Sequence, residues 1–273
     1  MLDERKERDM TQIDYGLEIK TVALAVNDLD DVTAFYKTTV GLDVLHKDGE
    51  QALLGADGTP LLELQKDSQA RQQPNAPGLY HTAFLLPQRS DLASWVSMAS
   101  QQNVYADGAS DHGMSEAIYL TDPEGNGVEI YADRPQDVWL GEDGSVKGGG
   151  GRIDFDDLMK RATHWNGAPK GTKIGHVHLQ VGDLGEAHEF FGGELGLNVR
   201  TQMPGMAFFA AGLYHHHFGT NTYRSAGLTK PNRPATGLRR IDLEFADTQG
   251  LPDQIEAVWG TEFVIKSRDA LAA

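Results

Sequence analysis

Val26-Asn27-Asp28-Leu29, then Phe35-Tyr36, then Gly41-Leu42-Asp43-Val44, returns along the chain as Val181-Gly182-Asp183-Leu184, Phe190-Phe191 and Gly196-Leu197-Asn198-Val199. The spacing is 155 residues throughout, from 26 to 181 and from 44 to 199. A register kept over so many positions marks an internal repeat, which sets the architecture before any single element is assigned. In each copy an alternating stretch (Val22, Leu24, Val26; Val177, Leu179, Val181) predicts a half-buried strand. It runs into an Asp suited to cap a helix, Asp28 or Asp183. That helix carries Ala34, Phe35 and Tyr36, or Ala187, Phe190 and Phe191, toward a core. It ends at Gly41 or Gly196, where a left-handed residue can close it. Shorter strands follow, such as Gln51 to Leu54 and Leu61 to Leu64.

Two further strand–helix starts, Gly78-Leu79-Tyr80-His81 and Gly237-Leu238-Arg239-Arg240, lie 159 residues apart, from 78 to 237. After the first come a helix near Asp91 to Gln101 and strands near Ala117 to Leu120 and Val128 to Tyr131. The expected fold is therefore α+β, with four βαβββ modules at 18–67, 78–133, 173–224 and 237–268 forming two half-barrels. By position along the chain these make a first domain at 18–133 and a second at 173–268, after an N-terminal extension at 1–17. Residues 134–172, with Gly148-Gly149-Gly150-Gly151 inside, read as a linker. The chain stops at Ala273 soon after Phe263-Val264-Ile265-Lys266, so module four is expected to lack a full closing strand. An exposed edge there would be covered in a homo-oligomer.

Composition excludes several kinds of function. The chain has no cysteine, so thiolate chemistry and Cys-ligated zinc or iron–sulfur sites are ruled out. Any metal must rest on Asp, Glu and the ten His. A net charge of −16 repels nucleic acid and anionic membrane, so neither is an expected partner. No apolar run approaches the ~20 residues of a membrane span. The charged start, Met1-Leu2-Asp3-Glu4-Arg5-Lys6, has no apolar stretch behind it, and a cytoplasmic location is the expectation.

Four such modules, with the phrase Tyr119-Leu120-Thr121-Asp122-Pro123-Glu124-Gly125-Asn126-Gly127-Val128-Glu129, resemble the vicinal oxygen chelate superfamily of glyoxalases, bleomycin resistance proteins and extradiol dioxygenases. Gly175-His176-Val177-His178-Leu179 and Tyr214-His215-His216-His217 add a similarity to the two-domain bacterial catechol 2,3-dioxygenases of the glyoxalase-like type. The resemblance covers about 18–260.

It implies metal ligands on the first and last strands of a module. The first-strand slots hold Thr21, His81, His176 and Arg240. The last-strand slots hold Glu63, Glu129, a member of the His215–His217 run, and nothing acidic near Val264. Only modules two and three can then supply two His and one carboxylate, the set that suits non-haem Fe(II), with Mn(II) the alternative. His81, Glu129 and His176 are the expected ligands, modules two and three the expected metal barrel, and Glu63 and Arg240 a candidate ion pair in the other. His178, on the strand face of His176, is expected to line the pocket, though it could replace His176 as ligand.

The resemblance also implies catalytic roles. Tyr119, ten residues before Glu129, and His112 would orient substrate oxygens, and His216 would be the acid–base residue. Alternation puts His215 and His217 on one face and His216 on the other. The implied activity is Fe(II)-dependent extradiol cleavage of a small aromatic diol by O₂ to a muconic semialdehyde. The alternatives are a metal-dependent lyase or isomerase of the glyoxalase type, and a metal-free small-molecule binding module.

Overall fold

A computed structural model describes residues 14–231 and 234–268, so most of the N-terminal extension lies outside the described residues. Module one runs β1 (Leu17–Val26), α1 (Leu29–Phe35), β2 (Asp43–Lys47), β3 (Gln51–Ala56) and β4 (Thr59–Lys66). The Asp28 carboxylate accepts from the amides of Asp30 and Asp31, satisfying donors that a helix start leaves free. The helix continues as a wider turn over Tyr36–Val40 and closes at Gly41, with φ +91°. Its buried face is Val32, Tyr36 and Val40, at steps of four; Ala34, assigned to the core from the sequence, is exposed.

Module two follows with β5 (Gly78–Leu85), α2 (Arg89–Gln101), β6 (Gly108–Asp111), β7 (Ser115–Thr121) and β8 (Gly127–Asp133). Short helices α3 (Gln136–Trp139) and α4 (Phe155–Met159) lie in the connection to module three. That connection packs as a strap. Trp139 and Leu158 are fully buried, and the Gly149 amide donates to the His112 carbonyl at 2.9 Å. Module three has β9 (Lys173–Gln180), α5 (Leu184–Ala187) widening over His188–Glu194, β10 (Asn198–Met203), β11 (Met206–Ala210) and β12 (Phe218–Asn221).

Module four comprises β13 (Gly237–Phe245), β14 (Gln254–Glu256) and β15 (Glu262–Ser267). Its closing strand is present, contrary to expectation, and β15 pairs with β13 from Arg240↔Glu262 to Phe245↔Ser267. What the module lacks, among its described residues, is the crossover helix and one strand. β14 forms one end of the sheet path and β6 the other.

The sheet order β14-β15-β13-β1-β9-β5-β8-β7-β6 joins the modules through their first strands. β1 lies antiparallel to β13, and β5 antiparallel to β9, so module one shares a strand pair with module four and module two with module three. Helix contacts run the other way. Trp95 on α2 donates its indole N–H to the Thr39 carbonyl of module one at 2.8 Å. In the later half Phe190 and Phe191 pack on Phe218, Trp259 and Phe263, with ring centroids 4.7–6.0 Å apart. Large aromatic area buried in one cluster dominates such packing. Among the described residues no helix is long and apolar enough to cross a membrane.

Candidate metal centre

The strand register brings the metal candidates together. β7 and β8 form a hairpin in which Tyr119 lies directly opposite Glu129. Its turn is fastened by Asp122, whose Oδ1 accepts from the amides of Glu124 and Asn126 at 2.9 and 2.8 Å. Glu129 sits beside Ala83 on β5, and Ala83 faces His176 on β9. His81, two residues before Ala83, points to the same face. With only a methyl group between them, the three larger side chains converge.

The Nε2 atoms of His81 and His176 lie 3.0 and 3.1 Å from Oε2 of Glu129. The three ligand atoms fall within 4.8 Å of one another, and all three residues are buried. Among the described residues no other three His, Cys, Asp or Glu form such a group. His176 makes a hydrogen bond to Glu129, but buried Nε2 of His81 makes none despite its short distance. An unpaired buried polar atom costs about 1–3 kcal/mol. A divalent cation coordinated by both imidazoles and the carboxylate would satisfy it, so these residues fit the metal that the sequence implies.

Burial works against ionisation of Glu129, yet the adjacent imidazoles, His176 first, hold its carboxyl well below the usual range. Burial lowers the His176 imidazole, and the Glu129 carboxylate opposes that shift.

His178 stands next to this group and outside it. Its ring centroid is 5.0 Å from that of His81, and its Nε2 is 3.1 Å from Nδ2 of Asn221. Burial, then the neighbouring His81 and His176, push its imidazole well below the ordinary value.

The last-strand slot of module three differs from the one read in the sequence. Glu129 pairs with the residue two beyond His81; the residue two beyond His176 is His178, and it pairs with Gly219. The His215–His217 run precedes β12 and is irregular, because the chain enters the strand only at Phe218. A Cβ on Gly219 would lie 3.0 Å from the His178 ring, so the bare glycine makes room for that imidazole.

Outside a strand the three His do not alternate. His215 Nε2 is 2.8 Å from Asp133 Oδ1, under the Trp139 ring. His216 packs against the metal candidate His176, with centroids 4.2 Å apart, and against Phe208 at 4.6 Å. Burial, followed by the charges of His176 and His215, drives its imidazole well below the ordinary value. His217 turns elsewhere, against Tyr214 and Tyr15, and its Nδ1 accepts from the Ala211 amide at 3.3 Å.

His81, Glu129, His176, His178 and His216 all line one open cavity of about 1430 Å³. His112 and Tyr119 line it too, and His112 Nε2 is 2.6 Å from the Tyr119 hydroxyl. Burial and the Glu129 charge raise the Tyr119 phenol, keeping it protonated.

Residues 18–130 match the family model described as the Glyoxalase/Bleomycin resistance protein/Dioxygenase superfamily. A Bacillus subtilis protein named catechol-2,3-dioxygenase is 38% identical over 239 residues, covering 84% of this chain and 83% of its own. A Rhodococcus globerulus protein named biphenyl-2,3-diol 1,2-dioxygenase 3 is 26% identical over 114 residues, covering 40% and 60%. The chain belongs to this superfamily. Its α+β fold agrees with solved structures of the glyoxalase fold. A putative dioxygenase from Bacillus subtilis superposes with a TM-score of 0.61 at 14% identity, over 92% of this chain and 84% of the other. Glyoxalase I from Zea mays does so with a TM-score of 0.57 at 16% identity, over 94% of each chain.

Within this superfamily member the second strand pair is closed by charge. Arg240 Nη2 lies 2.6 Å from Glu63 Oε2, and Arg240 Nε lies 2.7 Å from Asp242 Oδ1. The pairing anticipated from the sequence is therefore formed. Sequence reasoning did not find Asn221, Tyr80 and Phe208, which pack around the two cavity-lining imidazoles His178 and His216. Asn221 follows Gly219 by two residues, a signal readable only once β12 is placed.

Proposed function

We propose that this protein is an extradiol dioxygenase that cleaves a catechol-type diol with O₂, using Fe(II) held by His81, His176 and Glu129. The observation that carries this reading is the buried group of two imidazoles and one carboxylate at the side of a large cavity. It leaves a neighbouring face without a protein ligand, since Gly219 stands at the module-three position equivalent to Glu129. The catechol dioxygenase relative, similar over most of both chains, supports the same reading. Bound there, iron(II) supplies Lewis acidity toward a catechol hydroxyl and an open face for substrate and O₂; Mn(II) would suit the same N/O donors.

The chain's own side chains then have separate tasks. Tyr119 and His112, already joined by a hydrogen bond, orient the substrate oxygens. His216, in the cavity wall, would accept a proton from the diol and return it to a product oxygen. His178, held by Asn221, and Phe208 shape the wall against the ring.

The rival reading as a glyoxalase-type lyase wants a further acidic ligand, and Gly219 supplies none. The test is aerobic assay of Fe(II)-reconstituted protein with catechol and alkyl-catechols. O₂ uptake with a yellow semialdehyde is expected. Consumption of a thiol hemithioacetal without O₂ uptake would instead establish the lyase. Protein purified anaerobically with no iron or manganese, and not activated by either, would point to a metal-free binding module.

A further inference from the structure

A run of hydrogen bonds leads from His216 through His215 to Asp133. Asp133, at the end of β8, has both carboxylate oxygens engaged. Oδ2 accepts the Tyr214 hydroxyl at 2.9 Å, and Oδ1 lies 2.8 Å from Nε2 of His215. The Tyr214 oxygen is in turn 2.9 Å from the Tyr131 hydroxyl. The Asp133 and His215 side chains are 2% and 0% exposed. The remaining nitrogen of His215, Nδ1, lies 2.8 Å from Nδ1 of His216. Among the described residues His216 makes no other hydrogen bond, and its ring lines the cavity.

With Asp133 a carboxylate and His215 a neutral imidazole, the donor and acceptor roles along this run follow from the contacts. An ionised carboxylate only accepts, so Nε2 of His215 carries the proton of that contact. A neutral imidazole has one N–H, which leaves Nδ1 of His215 as an acceptor. Nδ1 of His216 must then be the donor, and its Nε2 is left bare.

We propose that Asp133 and His215 are positioning residues that lock His216 in its Nδ1–H tautomer and so present an unprotonated Nε2 to substrate. The proposal rests on His216 being the proton carrier of the reaction above. The step balances simply. The O–H bond of the diol breaks, its proton forms an N–H bond at Nε2 of His216, and the same proton later leaves Nε2 for a product oxygen. The relay itself transfers no electrons. While His216 is cationic, the buried Asp133 carboxylate stabilises it through His215, as the third member of a catalytic triad orients and stabilises its imidazole.

The test reads the tautomers directly. Full-length protein labelled with ¹⁵N-histidine and loaded with Zn(II) as a diamagnetic stand-in is examined by long-range ¹H–¹⁵N correlation. His216 is expected to show a protonated Nδ1 and a bare Nε2, and His215 the reverse. Asp133→Asn offers an amide that can donate to Nε2 of His215. Both tautomers should then flip, and turnover of the iron-loaded enzyme should fall roughly 10²–10⁴-fold with KM and metal content little changed. Tyr214→Phe removes the other hydrogen bond to Asp133 and serves as the structural control, with tautomers retained and only a small loss of turnover. A protonated Nε2 on His216 in the wild-type protein overturns the proposal even if Asp133→Asn does not fold, and so do unchanged tautomers in a folded Asp133→Asn. The expected tautomers in a protein without dioxygenase activity would leave the lock in place and reject the function.

Discussion

The two first-strand pairs put different chemistry at the same positions of the same frame. On β1 and β13, Ala23 faces Arg240 and lies beside Glu63, while Thr21 faces Asp242. On β5 and β9, Ala83 faces His176 and lies beside Glu129, while His81 faces His178. The acidic position and the small residue beside it are common to both. What differs is the group that answers the carboxylate.

Arg240 brings a guanidinium, all donors and no acceptor, and it saturates Glu63 and Asp242 in an ion pair whose side chains remain 19–25% exposed. His81 and His176 bring imidazole lone pairs to a carboxylate only 3% exposed. Lone pairs converging on a buried anion call for a cation, whereas a guanidinium is the cation already. The same fold therefore yields a closed ion pair on one side and a candidate metal site on the other.

The largest effect should come from removing a ligand. His81→Ala or Glu129→Gln is expected to take metal content from near stoichiometric to near zero, with ring-cleaving activity lost, while Arg240→Ala leaves both unchanged. Elemental analysis after anaerobic purification decides this, and full metal occupancy in Glu129→Gln would break the contrast between the two pairs. Next in size, His216→Ala should lower turnover roughly 10²–10⁴-fold, the usual worth of a positioned acid–base group, with metal still bound. Unchanged turnover would remove His216 from the reaction.

Much of this contrast was legible in the sequence because it depends on periodicity. The 155-residue repeat aligns Val26 with Val181, and strand alternation then sets which residues face inward. A separation of ten between Tyr119 and Glu129 becomes a cross-strand pair because the tight turn at Asp122–Asn126 centres the hairpin between them. What failed to show was phase in places where regular structure starts or changes. The His215–His217 run looks like strand, but the chain is irregular until Phe218, so the slot belongs to Gly219 and the three imidazoles diverge. Helix α1 widens after Phe35, and the buried face falls on Val32, Tyr36 and Val40 and not on Ala34. Module four omits its helix between β13 and β14, a loss that composition does not announce.

A smaller effect belongs to the closed pair. Arg240→Ala leaves Glu63, still bonded to Gln65, and Asp242 partly buried without their cation, for a destabilisation of about 2 kcal/mol. That corresponds to a fall in Tm of roughly 4–8 °C in a chain of this size. Thermal unfolding of metal-loaded protein measures it, and an unaltered Tm would mean that water screens both carboxylates as well as the guanidinium does.

The smallest expected effect separates His216 from its neighbour His217, which faces away from the cavity. Burial, then the charges of His215 and Lys173, push the His217 imidazole down to about 3. The unfolded chain titrates this group near the ordinary value of about 6.5. Above that pH both states are neutral and His217 adds no pH dependence. As the pH falls from about 6.5 toward 3, the unfolded chain takes up a proton that the native state refuses, and stability is lost. One unit below the ordinary value the loss amounts to about 1.4 kcal/mol. His217→Gln keeps an acceptor for the Ala211 amide and has no proton to gain. Its stability, measured by chemical denaturation at about pH 7.5 and about pH 5.5, should therefore decline less on acidification than that of the wild type. The buried His178 and His216 contribute equally to both proteins and cancel in the comparison. An identical decline in the variant would show that His217 can be protonated in place, and that the face opposite the cavity is wetter than its packing against Tyr214 and Tyr15 implies.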